Sequence, residues 1–373
     1  MTTEAKSLTR ALQALVEESI RRAGGWLPFD RFMAVALYAP GLGYYTGNSR
    51  QFGRMPSSGS DFVTAPEMSP LFGRALAAQV LDALDATGTD EVWEFGAGSG
   101  VLALQLLHAL GQRVRRYTIV DLSGALRARQ QQTLAEFGAK VQWASELPQA
   151  MHGVVIGNEV LDAMPVKLLA RTGNVWHERG VRMSSGAAAS GLPLAGFAWE
   201  DRPTQLRPPV DIPGIHDYVT EIHPQAQAFI RTLADRIAQG AAFFIDYGFA
   251  ESEYYHPQRH MGTVMCHRGH MADPDALRDV GEKDITAHVN FSGLALAAQQ
   301  AGLPTLGYTT QARFLMNCGI VPLLAQAPLG ERVAGQRLLA EHEMGELFKV
   351  IAFHRGEFWD AVGFRDGDRT HTL

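Results

Sequence analysis

Three glycines at alternate positions follow a carboxylate in Glu94-Phe95-Gly96-Ala97-Gly98-Ser99-Gly100. A backbone without Cβ atoms reaches φ > 0 and lets another molecule come close to the main chain. The neighbouring carboxylate suits a cationic amine, and the bare N–H groups suit an anion. About 20 residues beyond the glycines, "TIVDLS" ends in Asp121, whose two oxygens could hold the paired hydroxyls of a ribose. A third polar group lies in "GNEVLDAMPV", which offers Asn158, Glu159 and Asp162. The two acids are three residues apart and could face one side of a turn. Such a pair suits a guanidinium, which stays protonated in water and is a poor nucleophile. A carboxylate that pins one edge leaves the opposite nitrogen free to attack. The plainer role for Glu159 or Asp162 is to cap a following helix. Asp121 could likewise cap the helix that starts with "SGALRARQ".

These residues need elements to place them. "EVWEF" reads as a strand, followed by the glycine turn and a helix over 101–110. "RYTIVDLS" is a strand, "GALRARQQQTLAEFG" a helix, "KVQWASEL" a short strand and "GVVIGN" an apolar strand. A helix over 224–238, the strand "AAFFIDYGF", a helix over 291–301, a strand near 306–310 and a final strand "LFKVIAFHRG" complete the alternation. This pattern predicts an α/β fold with a mostly parallel, doubly wound sheet buried on both faces. Glu94, the glycines and Asp121 then sit at the carboxyl ends of neighbouring strands, where open sheets bind ligands.

Before this core, residues 1–25 predict a helix with Leu8, Leu12, Leu15, Val16 and Ile20 on one face and Gly24 as its stop. Residues 47–60 are rich in Gly, Ser, Asn and Pro and read as a mobile loop of the kind that forms lids. Residues 166–215 interrupt the rhythm with a hairpin turning at Thr172-Gly173-Asn174 and a loop "SSGAAASGLPLAG". Residues 250–290 read as irregular, and the polar tail "RDGDRTHTL" as frayed.

Three ligands could use the glycine turn. A dinucleotide fingerprint needs its third glycine one residue later, where Val101 stands. A phosphate loop needs Gly-Lys-Ser/Thr, which does not follow Gly100. The acidic residue followed by x-G-x-G-x-G of class I methyltransferases is present residue for residue. Its ligand, S-adenosylmethionine, carries an amino-acid moiety in place of a pyrophosphate.

The chain resembles the MidA family, which includes the mitochondrial complex I assembly-factor protein arginine methyltransferases. The resemblance rests on "ALYAPGLGYYT", "GSDFVTAPEMSPLFG", "EFGAGSG", "GNEVLDAMPV", "FIDYG", "GTVMCHRGH" and "DITAHVNF". It implies a Rossmann-like class I methyltransferase core over 66–373, with an N-terminal helical and loop region over 1–65 that covers the cofactor. It also implies S-adenosyl-L-methionine as cofactor and an acceptor arginine on a protein, in the mitochondrial members a complex I subunit. The "SDFVTAPEMS" stretch would flank the cofactor, which adds Asp61, Phe62, Thr64 and Glu67 to Glu94, Gly96, Ala97, Gly98, Gly100, Asp121, Leu122 and Asn158. Glu159, Asp162 and Asn158 are the catalytic candidates. A small-molecule or other protein N-methyltransferase, or an assembly chaperone that binds the cofactor without catalysis, are the alternatives.

Composition narrows the field. The 373 residues carry a net charge of −6, without the basic footprint of a nucleic-acid binder. No apolar run reaches membrane-span length. The N-terminus lacks a continuous apolar stretch and carries Glu4, Glu17 and Glu18, against a signal or transit peptide. Two cysteines, Cys266 and Cys318, suit a reducing compartment, and together these features predict a cytoplasmic protein. "HPQRHMGTVMCHRGH" gathers His256, His260, Cys266, His267 and His270, but its spacings match no standard zinc site. Lining of a substrate channel is the expectation for this stretch, as for Asp284, Thr286 and His288. Tyr44 and Tyr45 could stack on a ligand, though aromatic pairs more often build core.

Overall fold

A computed structural model describes residues 3–47, 63–121, 123–184 and 196–373. The central sheet runs in the order Thr305–Thr310, Phe348–Arg355, Ile237–Phe249, Met151–Asn158, Glu91–Phe95, Arg116–Val120, Val141–Ala144. The five strands from Ile237–Phe249 to Val141–Ala144 are parallel. Phe348–Arg355 inserts antiparallel to both of its neighbours. The α/β doubly wound expectation therefore holds. Strand order reverses between Glu91–Phe95 and Met151–Asn158, which is where such sheets open a crevice.

Alternate side chains leave the sheet on opposite faces. Val92, Ile119, Val154, Ile156, Phe243 and Ile245 join one core with the helices Pro70–Thr87 and Val101–Leu110. Trp93, Phe95, Val155, Ala242 and Phe244 join the other, with the helices Pro224–Arg236 and Phe291–Gln300. Ser69 caps Pro70–Thr87 by accepting Leu71 N–H, and Gly88 ends it at φ 63°.

A second unit stands beside this core. The expected hairpin forms from Lys167–Thr172 and Val175–Met183, with Gly173 and Asn174 at φ 56° and 63°. It is part of a larger antiparallel sheet with Leu27–Pro28, Phe197–Pro203 and Tyr218–Ile222. The helices Thr3–Arg22 and Phe29–Tyr38 pack on that sheet. Leu12, Val16, Ile20, Phe32 and Leu37 share one cluster with Leu168, Val181, Cys266, Val280 and Ile285. Residues 250–290 are more ordered than their composition implies: Met265–Arg268, Met271–Asp273 and Asp284–Thr286 form a three-stranded sheet. Three short helices, Gln311–Asn317, Ile320–Gln326 and Leu329–Arg337, precede the last strand. The tail is tied down, not frayed. Asp368 accepts Tyr308 N–H at 2.9 Å, and Arg369 N–H donates to Tyr308 O at 2.6 Å. The expected lid over 47–60 lies outside the described residues apart from Gly47. So do Asp61, Phe62, Leu122 and most of "SSGAAASGLPLAG".

Candidate active site

Gly96, Gly98 and Gly100 all have positive φ, at 62°, 54° and 82°. This is the conformation that a side chain disfavours, and it explains the alternate spacing. Gly96 N–H donates to Val120 O at 3.2 Å, tying the turn to the strand that ends at Asp121. A Cβ on Gly96 would stand 3.0 Å from Val160.

Glu94 is 2% exposed, and its Oε2 accepts the Tyr117 hydroxyl at 2.7 Å. Burial pushes its carboxyl up to about 8, the Tyr117 bond pulls it down and the charge of Asp121 pushes it up again. A cationic ligand group beside it would restore its charge. Asp121 accepts Ser123 N–H at 2.9 Å on Oδ1 and the Gln130 amide at 2.8 Å on Oδ2. It is not the helix cap: Ser123 Oγ accepts Leu126 N–H.

Gln130, which the sequence did not single out, is fully buried and braces the site. Its amide nitrogen donates to Gly98 O at 3.0 Å as well as to Asp121, and its oxygen accepts Trp143 Nε1–H at 3.0 Å. Glu67, also buried, accepts the Ser99 hydroxyl. Gln105 donates to Pro66 O at 2.8 Å. Together they dock the short helix Ala65–Met68 onto the glycine turn and the helix that follows it.

Asn158 ends its strand, and its Nδ2 donates to Glu159 Oε1 at 3.0 Å. Glu159 has φ 54°, a left-handed conformation rare outside glycine and found disproportionately at functional sites. Desolvation first and Asp162 second push its carboxyl up to about 8, while Asn158 and the Ala65 N–H pull it down. Asp162 takes the Tyr247 hydroxyl on Oδ2 at 2.6 Å, and burial raises its carboxyl to about 6. No helix follows these acids; the chain turns and enters Lys167–Thr172. The capping role weighed for Glu159 and Asp162 is thereby excluded.

A cavity of about 680 Å³ unites most of these groups. Thr64, Glu67, Glu94, Gly96, Ala97, Gly98, Asp121, Asn158 and Glu159 line it, with Tyr38 and Tyr45 from the N-terminal unit opposite. Gly100 and Asp162 stand behind the wall. Tyr45 donates to both Asp284 oxygens, at 2.8 and 2.9 Å, whereas Tyr44 is core. Thr286 is buried away from the cavity, and His288 stacks edge-on against Tyr247 at 5.2 Å. The histidine stretch does not line the cavity. His256 and His260 are exposed, Cys266 is buried, and among the described residues no cluster of three or more ligands could hold a metal.

A carboxylate at the first strand, a second at the next, and three positive-φ glycines between them fit an amino-acid-bearing nucleoside. Fold and site together define a class I methyltransferase. Residues 75–309 match the S-adenosyl-L-methionine-dependent methyltransferase family, and the chain belongs to that family. It is similar to the protein arginine methyltransferase NDUFAF7 homolog, mitochondrial, of Caenorhabditis elegans, with 26% identity over 84% of this chain and 77% of that one. It is also similar to the mouse protein arginine methyltransferase NDUFAF7, mitochondrial, with 28% identity over 89% and 81%. A crystal structure of a COG1565 superfamily member from Burkholderia thailandensis, bound to S-adenosyl-homocysteine, shares 49% identity. It covers 100% of this chain and 99% of its own, with a TM-score of 0.94.

The names of the curated relatives place them in mitochondria, which overturns the cytoplasmic location expected from the sequence. A reducing interior is not unique to the cytoplasm, so two buried free thiols carry no address. Among the described residues no helix is long and apolar enough to cross a membrane.

The ligand assignment has a direct check. Titration calorimetry on the purified chain is expected to show binding of S-adenosylmethionine and none of NAD. Tight NAD binding would return the glycines to the dinucleotide reading.

Proposed function

We propose that this methyltransferase acts on an arginine side chain of a protein, and that the acceptor enters between Glu159 and the Tyr38–Tyr45 wall. The observation that carries the reading is a buried carboxylate in the cavity wall: Glu159 lines the cavity with Asp162 behind it, and among the described residues neither forms an ion pair. The names of the curated relatives support it. The resemblance of the sequence motifs further suggests a respiratory complex I subunit as the acceptor protein.

Bound S-adenosylmethionine supplies an electrophilic methyl group. In this reading Glu94 holds its amine and Asp121 its ribose hydroxyls. Gly96, Ala97, Gly98 and Gly100 give the close backbone approach, and Thr64, Glu67 and Asn158 border it, with Asp61, Phe62 and Leu122 assigned by resemblance alone. Glu159 accepts N–H bonds from one edge of the guanidinium and leaves the other nitrogen free. Asp162, behind it, adds negative field. The methyl carbon would leave the sulfonium sulfur, which becomes a neutral thioether, as it bonds to that nitrogen, and the proton the nitrogen loses would pass to the Glu159 carboxylate. The N-terminal unit, which presents Tyr38 and Tyr45, and the inserted sheet form the acceptor side.

Glu159 must be charged to take the acceptor, and its raised carboxyl is mostly protonated below about 8. kcat/KM for the acceptor is therefore expected to rise with pH through that value and then level off; a flat profile would contradict the assignment. The proposal itself is tested with labelled S-adenosylmethionine and mitochondrial protein fractions, including complex I subunits. Methylarginine in digests, found by mass spectrometry, supports it. Label confined to lysine, chain termini or small molecules overturns it.

A further inference from the structure

The motif "FIDYG" puts a further carboxylate, Asp246, and Tyr247 near the end of Ile237–Phe249. Neither lines the cavity, yet both reach the loop that carries Glu159 and Asp162. Asp246 is 0% exposed. Its Oδ2 accepts three successive backbone N–H groups, from Val160 at 3.2 Å, Leu161 at 2.9 Å and Asp162 at 3.2 Å. Its Oδ1 accepts Tyr247 N–H at 2.9 Å. The preceding Glu159 N–H donates to Ile245 O at 2.9 Å. Four consecutive amides of one loop are thus held by two consecutive residues of the neighbouring strand. The next residue, Tyr247, holds the Asp162 side chain through its hydroxyl at 2.6 Å.

We infer that Asp246 and Tyr247 are positioning residues: Asp246 is the template that keeps Glu159 left-handed and facing the acceptor, and Tyr247 fixes the Asp162 carboxylate behind it. Isolated buried charge is costly, and here a carboxylate is the group that fits. Three donors converge on one of its oxygens and a fourth on the other. An amide would turn an N–H against a backbone N–H in either orientation, so Asn cannot replace Asp. The arrangement also explains how a non-glycine residue tolerates φ 54° at position 159: its flanking amides are pinned on both sides.

The inference rests on the arginine reading only for its activity readout. The test uses the full chain with Asp246→Asn and Tyr247→Phe. In Asp246→Asn, hydrogen exchange in the peptide spanning Val160–Asp162 is expected to speed up at least about tenfold as the backbone bonds open. Cofactor affinity should stay near wild type, and kcat should fall by about tenfold or more. Unchanged exchange, or faster exchange with wild-type kcat, overturns the inference.

If Asp246→Asn does not fold, Tyr247→Phe decides. The hydroxyl pulls the Asp162 carboxyl down, so its loss lets that carboxyl rise. The titratable groups that feel the Asp162 charge are Glu159, Asp246, Tyr38 and Tyr45, with Asp284 bonded to Tyr45 and His288 against the ring at position 247, all retained. Relative to wild type, kcat should drop severalfold at pH 6.5, where Asp162 becomes protonated, and recover toward pH 8.5. A ratio independent of pH overturns the role of Tyr247. Failure of the arginine reading would appear separately, as a wild-type protein that methylates no arginine, with the exchange result still deciding the loop.

Discussion

Glu159→Gln is expected to leave cofactor affinity nearly unchanged and to cut single-turnover methyl transfer to arginine by about 10²–10⁴-fold, the usual range for a positioned acid or base. The substitution keeps size, the strained φ and the acceptor oxygen for Asn158, and removes only the charge. Cofactor affinity is insulated because Glu94 and Asp121 lie on other strands. Stability should change little or rise, because the carboxylate is desolvated and close to Asp162 in the wild type. Melting temperature, cofactor affinity and single-turnover rate on one preparation separate the possibilities. A variant that transfers methyl at the wild-type rate would end the catalytic role of Glu159.

Asp121→Ala should weaken S-adenosylmethionine binding by about ten- to a hundredfold, equivalent to about 1.5–3 kcal/mol for a lost bond to a charged acceptor. Part of that loss is indirect. The carboxylate also holds Ser123 N–H and the Gln130 amide, so its removal leaves the Gln130 amide with Gly98 O as its one remaining acceptor among these. Asp121→Asn, which keeps an acceptor for Ser123 N–H, should fall between wild type and Ala. A folded Ala variant that binds the cofactor at full strength would remove Asp121 from the ligand.

What the sequence made legible is local chemistry. The glycine turn could be read because a positive φ at Gly96, Gly98 and Gly100 restricts the residue type at each position itself. The hairpin could be read for the same reason at Gly173 and Asn174. Asp121 followed from its strand end. Gln130 and Asp246 could not be read, because what defines them lies elsewhere in the chain. The Gln130 partner at Gly98 is 32 residues away, and the amides held by Asp246 are 84 to 86 residues away. A glutamine inside a helix and an aspartate at a strand end have many ordinary explanations. The small sheet within 250–290 was hidden similarly: its strands are three or four residues long, too short for alternation to show. The tail looked frayed because its polarity was visible and its partners at Tyr308 and Thr309 were not.

The N-terminal helix shares a core with residues near the other side of the chain: Thr9 Oγ1 donates to Glu282 Oε1 at 2.8 Å across 273 positions. During synthesis, at about 5–20 residues per second, Thr9 is made roughly 14 to 55 s before residue 282. Throughout that interval Leu12, Val16 and Ile20 lack much of the surface that buries them. The nascent chain carries an unsheltered amphipathic segment, and the N-terminal unit can complete its core only after most of the central sheet has been translated.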